Sequence, residues 1–174
     1  MQLPVYMKAM TERDPENNVP AAMFYEKVGD PYVKAANADE AEKKRVEALC
    51  PSGLVLDRED IITGLDNRFL TADKLNSDLI PVRKNGGYVS GIATEEEIRE
   101  LMDHAERKMA EAASEILSGN IVRNPVQSGQ HTSCTYCAFA GLCKDFGEHQ
   151  TEQMRKSEPM DKELFFAAIR EEET

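Results

Sequence analysis

The chain has 174 residues, 41% of them hydrophobic, and 32 acidic side chains against 21 basic ones give a net charge of −11. That length makes one ordinary domain, with room for a short appendage, and the hydrophobic fraction is enough for a core. The charge excludes a strong stand-alone nucleic-acid binder, because such domains are usually basic where they meet phosphates, and the absence of Trp argues the same way.

No apolar run reaches the roughly 18 residues of a membrane-spanning helix. The start Met1-Gln2-Leu3-Pro4-Val5-Tyr6 lacks the basic region and cleavage site of a signal peptide. A cytoplasmic location is therefore expected, and with it reduced cysteines rather than disulfides.

Taken in order, Gln2, Leu3, Tyr6, Ala9 and Met10 fall at helical spacing. No Ser, Thr, Asp or Asn caps this helix, so it reads as one already under way, as if the chain were cut from a longer one. Asp14-Pro15 and Asn17-Asn18 mark a loop, and Val19 to Val28 reads as a buried strand. Asn37 to Leu49 is helix-prone, Gly53 to Leu56 predicts a short strand, and a helical turn or two is expected over Asp60 to Leu65. Leu79-Ile80-Pro81-Val82 and Tyr88-Val89, around the Asn85-Gly86-Gly87 turn, predict a small hairpin. Thr94 and Glu97 form a capping box, and an apolar face from Ile98 to Leu117 predicts about six helical turns, closed by Gly119-Asn120. Leu164, Phe165, Phe166 and Ile169 suggest a short packed helix in the tail.

Three of the four cysteines lie at Cys134, Cys137 and Cys143, spaced C-x2-C-x5-C. Three soft ligands in so short a stretch point to one soft metal centre, zinc or an iron–sulfur cluster. Such a centre normally takes four protein ligands. His131 offers a fourth for zinc within the segment, whereas Cys50, between apolar neighbours, reads as a small buried hydrophobe. Tyr136, Phe139, Leu142 and Phe146 are placed to shield a cluster. His104 and His149 have no ligand-spaced partners and read as solvent-facing; Asp57, Glu59, Asp60, Asp66 and Asp73 fit no metal-binding spacing and read as a solvated surface.

The long helix ending in Ile116-Leu117-Ser118-Gly119-Asn120-Ile121, then Asn124-Pro125, then Cys-x2-Cys-Ala-Phe-Ala-Gly-Leu-Cys, resembles one specific family. It is similar to the C-terminal part of the RecB-like exonuclease domain in the B subunit of bacterial AddAB (RexAB) helicase–nucleases. Gln2 and Tyr6 match that family's Q-x3-Y helix motif, which borders the nuclease site, and Val19 to Tyr25 matches the strand after it. The resemblance implies an α/β chain holding the C-terminal half of a PD-(D/E)xK nuclease fold, helix-rich with a few short strands. Residues 1–123 would belong to the nuclease domain with an insertion at about 54–90, residues 124–146 to the cysteine loop, and residues 147–174 to the tail.

The same resemblance implies, in the intact parent, a [4Fe–4S] cluster held by Cys134, Cys137 and Cys143 with its fourth ligand upstream of this chain; in this chain alone the cluster is expected to be absent or incomplete, with zinc as the alternative. It also implies Mg2+ bound by carboxylates that, with the catalytic lysine, precede the Q-x3-Y helix and are missing here. The expected parent is an ATP-dependent DNA exonuclease, 5′–3′ or 3′–5′, in double-strand-break repair. It would act with an AddA-like helicase–nuclease subunit on duplex DNA ends, while this chain alone would be inactive and bind DNA weakly. A self-contained zinc-binding interaction module and a Cas4-like nuclease piece are the competing readings.

Overall fold

A computed structural model describes residues 2–120, 122, 124–139, 154–157 and 160–172. The chain is helix-rich α/β, with short strands in three three-stranded sheets among the described residues. It falls into two compact units, residues 1–109 and 110–174, with the division inside one long helix.

In the first unit, helix α1 (Gln2–Arg13) leads through a loop to strand β1 (Ala22–Tyr25). Pro4 is tolerated in α1 because the first turn has no intrahelical use for its missing N–H. Helix α2 (Ala38–Leu49) starts at Asn37, whose side chain accepts a hydrogen bond from the Glu40 amide at 2.9 Å. Strand β2 (Ser52–Leu56) pairs antiparallel with β1, Phe24 opposite Gly53 and Ala22 opposite Val55. A two-residue strand at Ile92–Ala93, β6, adds to the other side of β2 in parallel and completes the order β1-β2-β6.

Between β2 and β6 run helices α3 (Glu59–Leu65) and α4 (Arg68–Thr71), then an antiparallel sheet of β3 (Lys74–Asn76), β4 (Arg83–Asn85) and β5 (Tyr88–Ser90). The hairpin turns at Gly86-Gly87 as expected, Gly86 taking φ +60°, but its first strand is Arg83–Asn85 and not residues 79–82. Ile80 and Val82 instead bury into a core with Val55 and Ile62. They do so because the Ser77 hydroxyl accepts hydrogen bonds from the Leu79 and Ile80 amides, both at 3.1 Å, and bends the chain there.

Helix α5 (Glu95–Leu117) begins with the expected capping box. The Glu97 amide donates to Thr94 Oγ1 at 3.2 Å, and the Thr94 amide donates to Glu97 Oε2 at 2.8 Å. Its end is a full Schellman motif: Gly119 at φ +74°, with the Asn120 amide reaching the Glu115 carbonyl and the Gly119 amide the Ile116 carbonyl. The apolar face is buried only at first. Ile98, Leu101, Met102 and Ala105 are core, Ile98 and Met102 joining Leu56 and Ala93, whereas Met109, Ile116 and Leu117 are exposed.

In the second unit, β7 (Val126–Ser128) pairs antiparallel with β8 (His131–Thr132) and parallel with β9 (Arg155–Lys156). Helix α6 (Lys162–Glu171) is capped by Asp161, which accepts from the Leu164 amide at 2.9 Å, and buries Phe166 and Ile169.

Candidate functional site

The cysteine segment is built on the β8-β7-β9 sheet. The β7–β8 hairpin turns at Gly129, φ +57°, and places His131 opposite Ser128. The Ser133 amide donates to the Val126 carbonyl at 2.9 Å and its hydroxyl accepts from the Val126 amide at 3.0 Å, which locks the chain at the exit from β8. Immediately afterwards the Cys137 amide donates to the Cys134 carbonyl at 3.2 Å. This four-residue turn is why a C-x2-C spacing suits a metal: it brings residues i and i+3 close, so that two thiols can reach one ion. Both are free thiols, Cys134 half-buried and Cys137 exposed. The chain leaves the sheet at β8 and rejoins it at β9, where the Arg155 amide bonds the Pro125 carbonyl and the Ser157 amide the Gln127 carbonyl. The base of the cysteine loop is thus tied on both sides of β7.

Cys143, Leu142, Phe146 and His149 lie outside the described residues. Tyr136 and Phe139 are exposed, so these two do not form the expected apolar shield. Among the described residues no three His, Cys, Asp or Glu side chains come together as a metal-holding group, so His131, Cys134 and Cys137 are not assembled into one. Cys50 is half-buried, and its thiol donates to the Ser77 carbonyl at 3.2 Å. This matches a packed thiol.

Gln2 and Tyr6 occupy one side of α1, both exposed. Met7 of the same helix packs against the Leu56–Ala93–Ile98–Met102 cluster. Lys8 holds α1 to α5 by donating to Asp103 at 2.7 Å and to Glu106, and these bonds raise its pKa above the usual lysine range. With α1 so fixed, Tyr6 lines an open groove of about 570 Å3, together with Leu3, Met10, Val19, Ala22 and Phe24. Gln2 does not line that groove. The helix therefore presents a phenol beside β1, and the two motif residues are separated in what they face.

One acidic residue departs from the sequence expectation. Asp66 is not part of a solvated acidic surface but is buried. Arg68 grips it with Nε at 2.8 Å from Oδ1 and Nη2 at 2.7 Å from Oδ2, the bidentate geometry that suits a guanidinium. The Ser77 hydroxyl donates to Oδ2 at 2.7 Å, and Arg68 also reaches Asp78. The hydrogen bonds from Arg68, then that from Ser77, hold Asp66 down at a pKa of about 2. Asp57, Glu59, Asp60 and Asp73 are exposed as expected. His104 is half-buried rather than solvent-facing. The local cue for the Asp66 network, Asp66-x-Arg68 followed by Ser77-Asp78, was present in the sequence. It has no periodicity to flag it.

The helix-rich α/β fold agrees with comparison to known proteins. The family model for the PD-(D/E)XK nuclease superfamily matches residues 1–144, and the chain belongs to that superfamily. More particularly, it is 33% identical over 156 residues to the B subunit of the ATP-dependent helicase/deoxyribonuclease of Clostridium botulinum strain Hall, covering 83% of this chain and 13% of that protein. The protein of the same name in Desulforamulus reducens is 33% identical over 146 residues, 80% of this chain and 12% of the relative. That of Thermoanaerobacter sp. is 30% identical over 155 residues, 83% of this chain and 13% of the relative. The chain spans about an eighth of the length of these curated relatives.

Proposed function

We propose that the chain acts within the B subunit of an ATP-dependent helicase–deoxyribonuclease, in DNA double-strand-break repair by homologous recombination. The observation that carries this reading is the identity of 33% over 83% of the chain to a protein so named, together with the family match over residues 1–144. In this reading the chain's own work is structural. Its β1-β2-β6 sheet with α1 and α5 supports the nuclease site, and α1 sets Tyr6 beside that sheet. The Mg2+-binding carboxylates and the lysine come from residues outside this chain, as does an AddA-like partner subunit.

Cys134 and Cys137, with Cys143, supply three ligands to a [4Fe–4S] cluster. The free thiols on the Cys134–Cys137 turn, at the base of a loop tied by β7, fit such a group. Cys134 and Cys137 would hold such a cluster from a turn that the β7 ties keep in place, and the cluster would supply a cross-link there. Zinc, with His131 as a further ligand, is the alternative occupant.

Two assays test the proposal. The purified chain with Mg2+ and linear DNA is expected to show no cleavage, and cleavage that tracks its concentration would contradict the scaffold role. In cells of the source organism, Cys134→Ser with Cys137→Ser is expected to reduce ATP-dependent degradation of linear duplex DNA in extracts. Unchanged degradation would overturn the cluster's part in that activity.

A further inference from the structure

The β3-β4-β5 sheet, which plays no part in the proposed function, has two unlike faces. Leu75, Lys84 and Val89 share one register line and face inward. Lys84 is engaged there, donating to the Phe69 carbonyl at 2.9 Å with its ammonium 4.6 Å from the Phe69 ring centre. The other face carries Lys74, Asn85 and Tyr88 in one cross-strand row and Asn76, Arg83 and Ser90 in the next. It holds two cations, an aromatic ring and three neutral polar groups, and no carboxylate, in a chain of net charge −11.

Elsewhere in this unit Lys8, Lys44, Arg45, Arg58, Arg68 and Arg99 form ion pairs, whereas Arg13, Lys27, Lys34 and Lys43 form none among the described residues but stand on no common sheet face. Among the described residues Lys74 and Arg83 form none. They lie diagonally across neighbouring strands, roughly 7–8 Å apart at their backbones, where one chain of phosphates can meet both. Tyr88 is 70% exposed beside them. An open groove of about 480 Å3 runs along Lys74, Asn76, Arg83 and Asn85, with Glu47 of α2 at its rim; on its other side Arg83 borders a second groove that Glu42 and Asp78 also line.

We propose that this face is a contact for single-stranded DNA, Lys74 and Arg83 meeting backbone phosphates and Tyr88 stacking on an unpaired base. The choice of DNA among polyanions rests on the proposed function; the phosphate-and-base chemistry rests on the face itself. An exposed ring favours a single strand, because a base inside a duplex already has both faces stacked. Two cations make this a weak, local contact, in keeping with the acidic chain as a whole.

The test is fluorescence anisotropy of the full chain with a labelled oligothymidylate across a salt series. The double variant Lys74→Gln/Arg83→Gln is expected to flatten the dependence of log affinity on log salt by about 1.4, about 0.7 per lost phosphate contact. Tyr88→Ala is expected to weaken binding about fivefold or more at every salt concentration, leaving the slope unchanged. Glu47→Gln is expected to tighten binding, and Lys44→Gln, which removes an ion-paired cation, to leave the slope as it was. The proposal is overturned if the wild-type chain does not bind, if the double variant keeps the wild-type slope, or if a blunt duplex binds as tightly through the same residues. Mg2+-dependent cleavage of linear DNA by the purified chain would sink the scaffold reading and leave these slopes standing, so the two failures are distinguishable.

Discussion

Replacing Asp66 tests whether the buried ion pair is what pins residues 66–82. Asp66→Ala removes the acceptor for two guanidinium bonds, for the Arg68 amide at 3.1 Å and for the Ser77 hydroxyl. That hydroxyl in turn positions the amides of Leu79 and Ile80, and Ile80 is a core residue. Breaking a fully buried pair typically costs about 3–5 kcal/mol. Arg68 is 46% exposed and keeps Asp78, so solvent screening lowers the expected cost to about 2–3 kcal/mol. For a chain of this size that is a drop of roughly 5–10 °C in Tm.

The sign with pH follows from the depressed pKa. Asp66 goes from an ordinary 3.8 to about 2 on folding, so its contribution is complete above the unfolded value and fades as pH falls through the folded one. Urea midpoints of wild type and Asp66→Asn, which keeps the shape and removes the charge, should therefore differ most near neutrality. The gap that the shift itself sets should be about half closed near pH 3. No penalty at neutral pH, or a gap that stays constant down to about pH 3, would refute the assignment.

Backbone positions give sharper contrasts. Gly91 sits at φ +82° with an added Cβ placed 1.8 Å from the Pro81 carbonyl oxygen, so Gly91→Ala should lose about 2–3 kcal/mol or more in denaturant unfolding. Gly64, inside α3 with open space around it, should behave oppositely, Gly64→Ala gaining about 0.5–1 kcal/mol. A loss at both sites would mean that α3 is misplaced. Thr94→Ala removes half of the capping box of α5 and should cost about 1 kcal/mol, seen as a lower thermal midpoint by circular dichroism. An unchanged midpoint would argue against that cap.

What the sequence made legible was local in origin. Thr94-x-x-Glu97 and Gly119-Asn120 each act within four or five residues, and each is where the pattern puts it. Strands β3 and β6 were missed because two or three residues carry no periodicity, and β6 owes its existence to a parallel partner, β2, far back in the chain. The hairpin slipped because Ile80 and Val82 are apolar enough for a strand while their burial comes from a bend set by Ser77. Asp66 reads as surface because the Asp66-x-Arg68 and Ser77-Asp78 cue carries no periodicity, and only the fold shows that Ser77 closes over it. Conversely, the apolar stripe that predicts α5 shows its length but not how much of it is covered: Met109, Ile116 and Leu117 face solvent. Of the motif pair on α1, the i, i+4 spacing put Gln2 and Tyr6 together, and only the placement of β1 shows that Tyr6 alone lines the groove.

What Cys134, Cys137 and Cys143 hold decides the cluster assignment at the centre of the proposed function. The decisive measurement is the metal and sulfide content of the chain expressed and purified without oxygen, beside Cys134→Ser and Cys137→Ser. Iron and inorganic sulfide with visible charge-transfer absorbance are expected, incomplete in stoichiometry with three ligands from this segment, and lost in either variant. One tightly held zinc per chain, without iron or sulfide and dependent on His131, would contradict the cluster assignment.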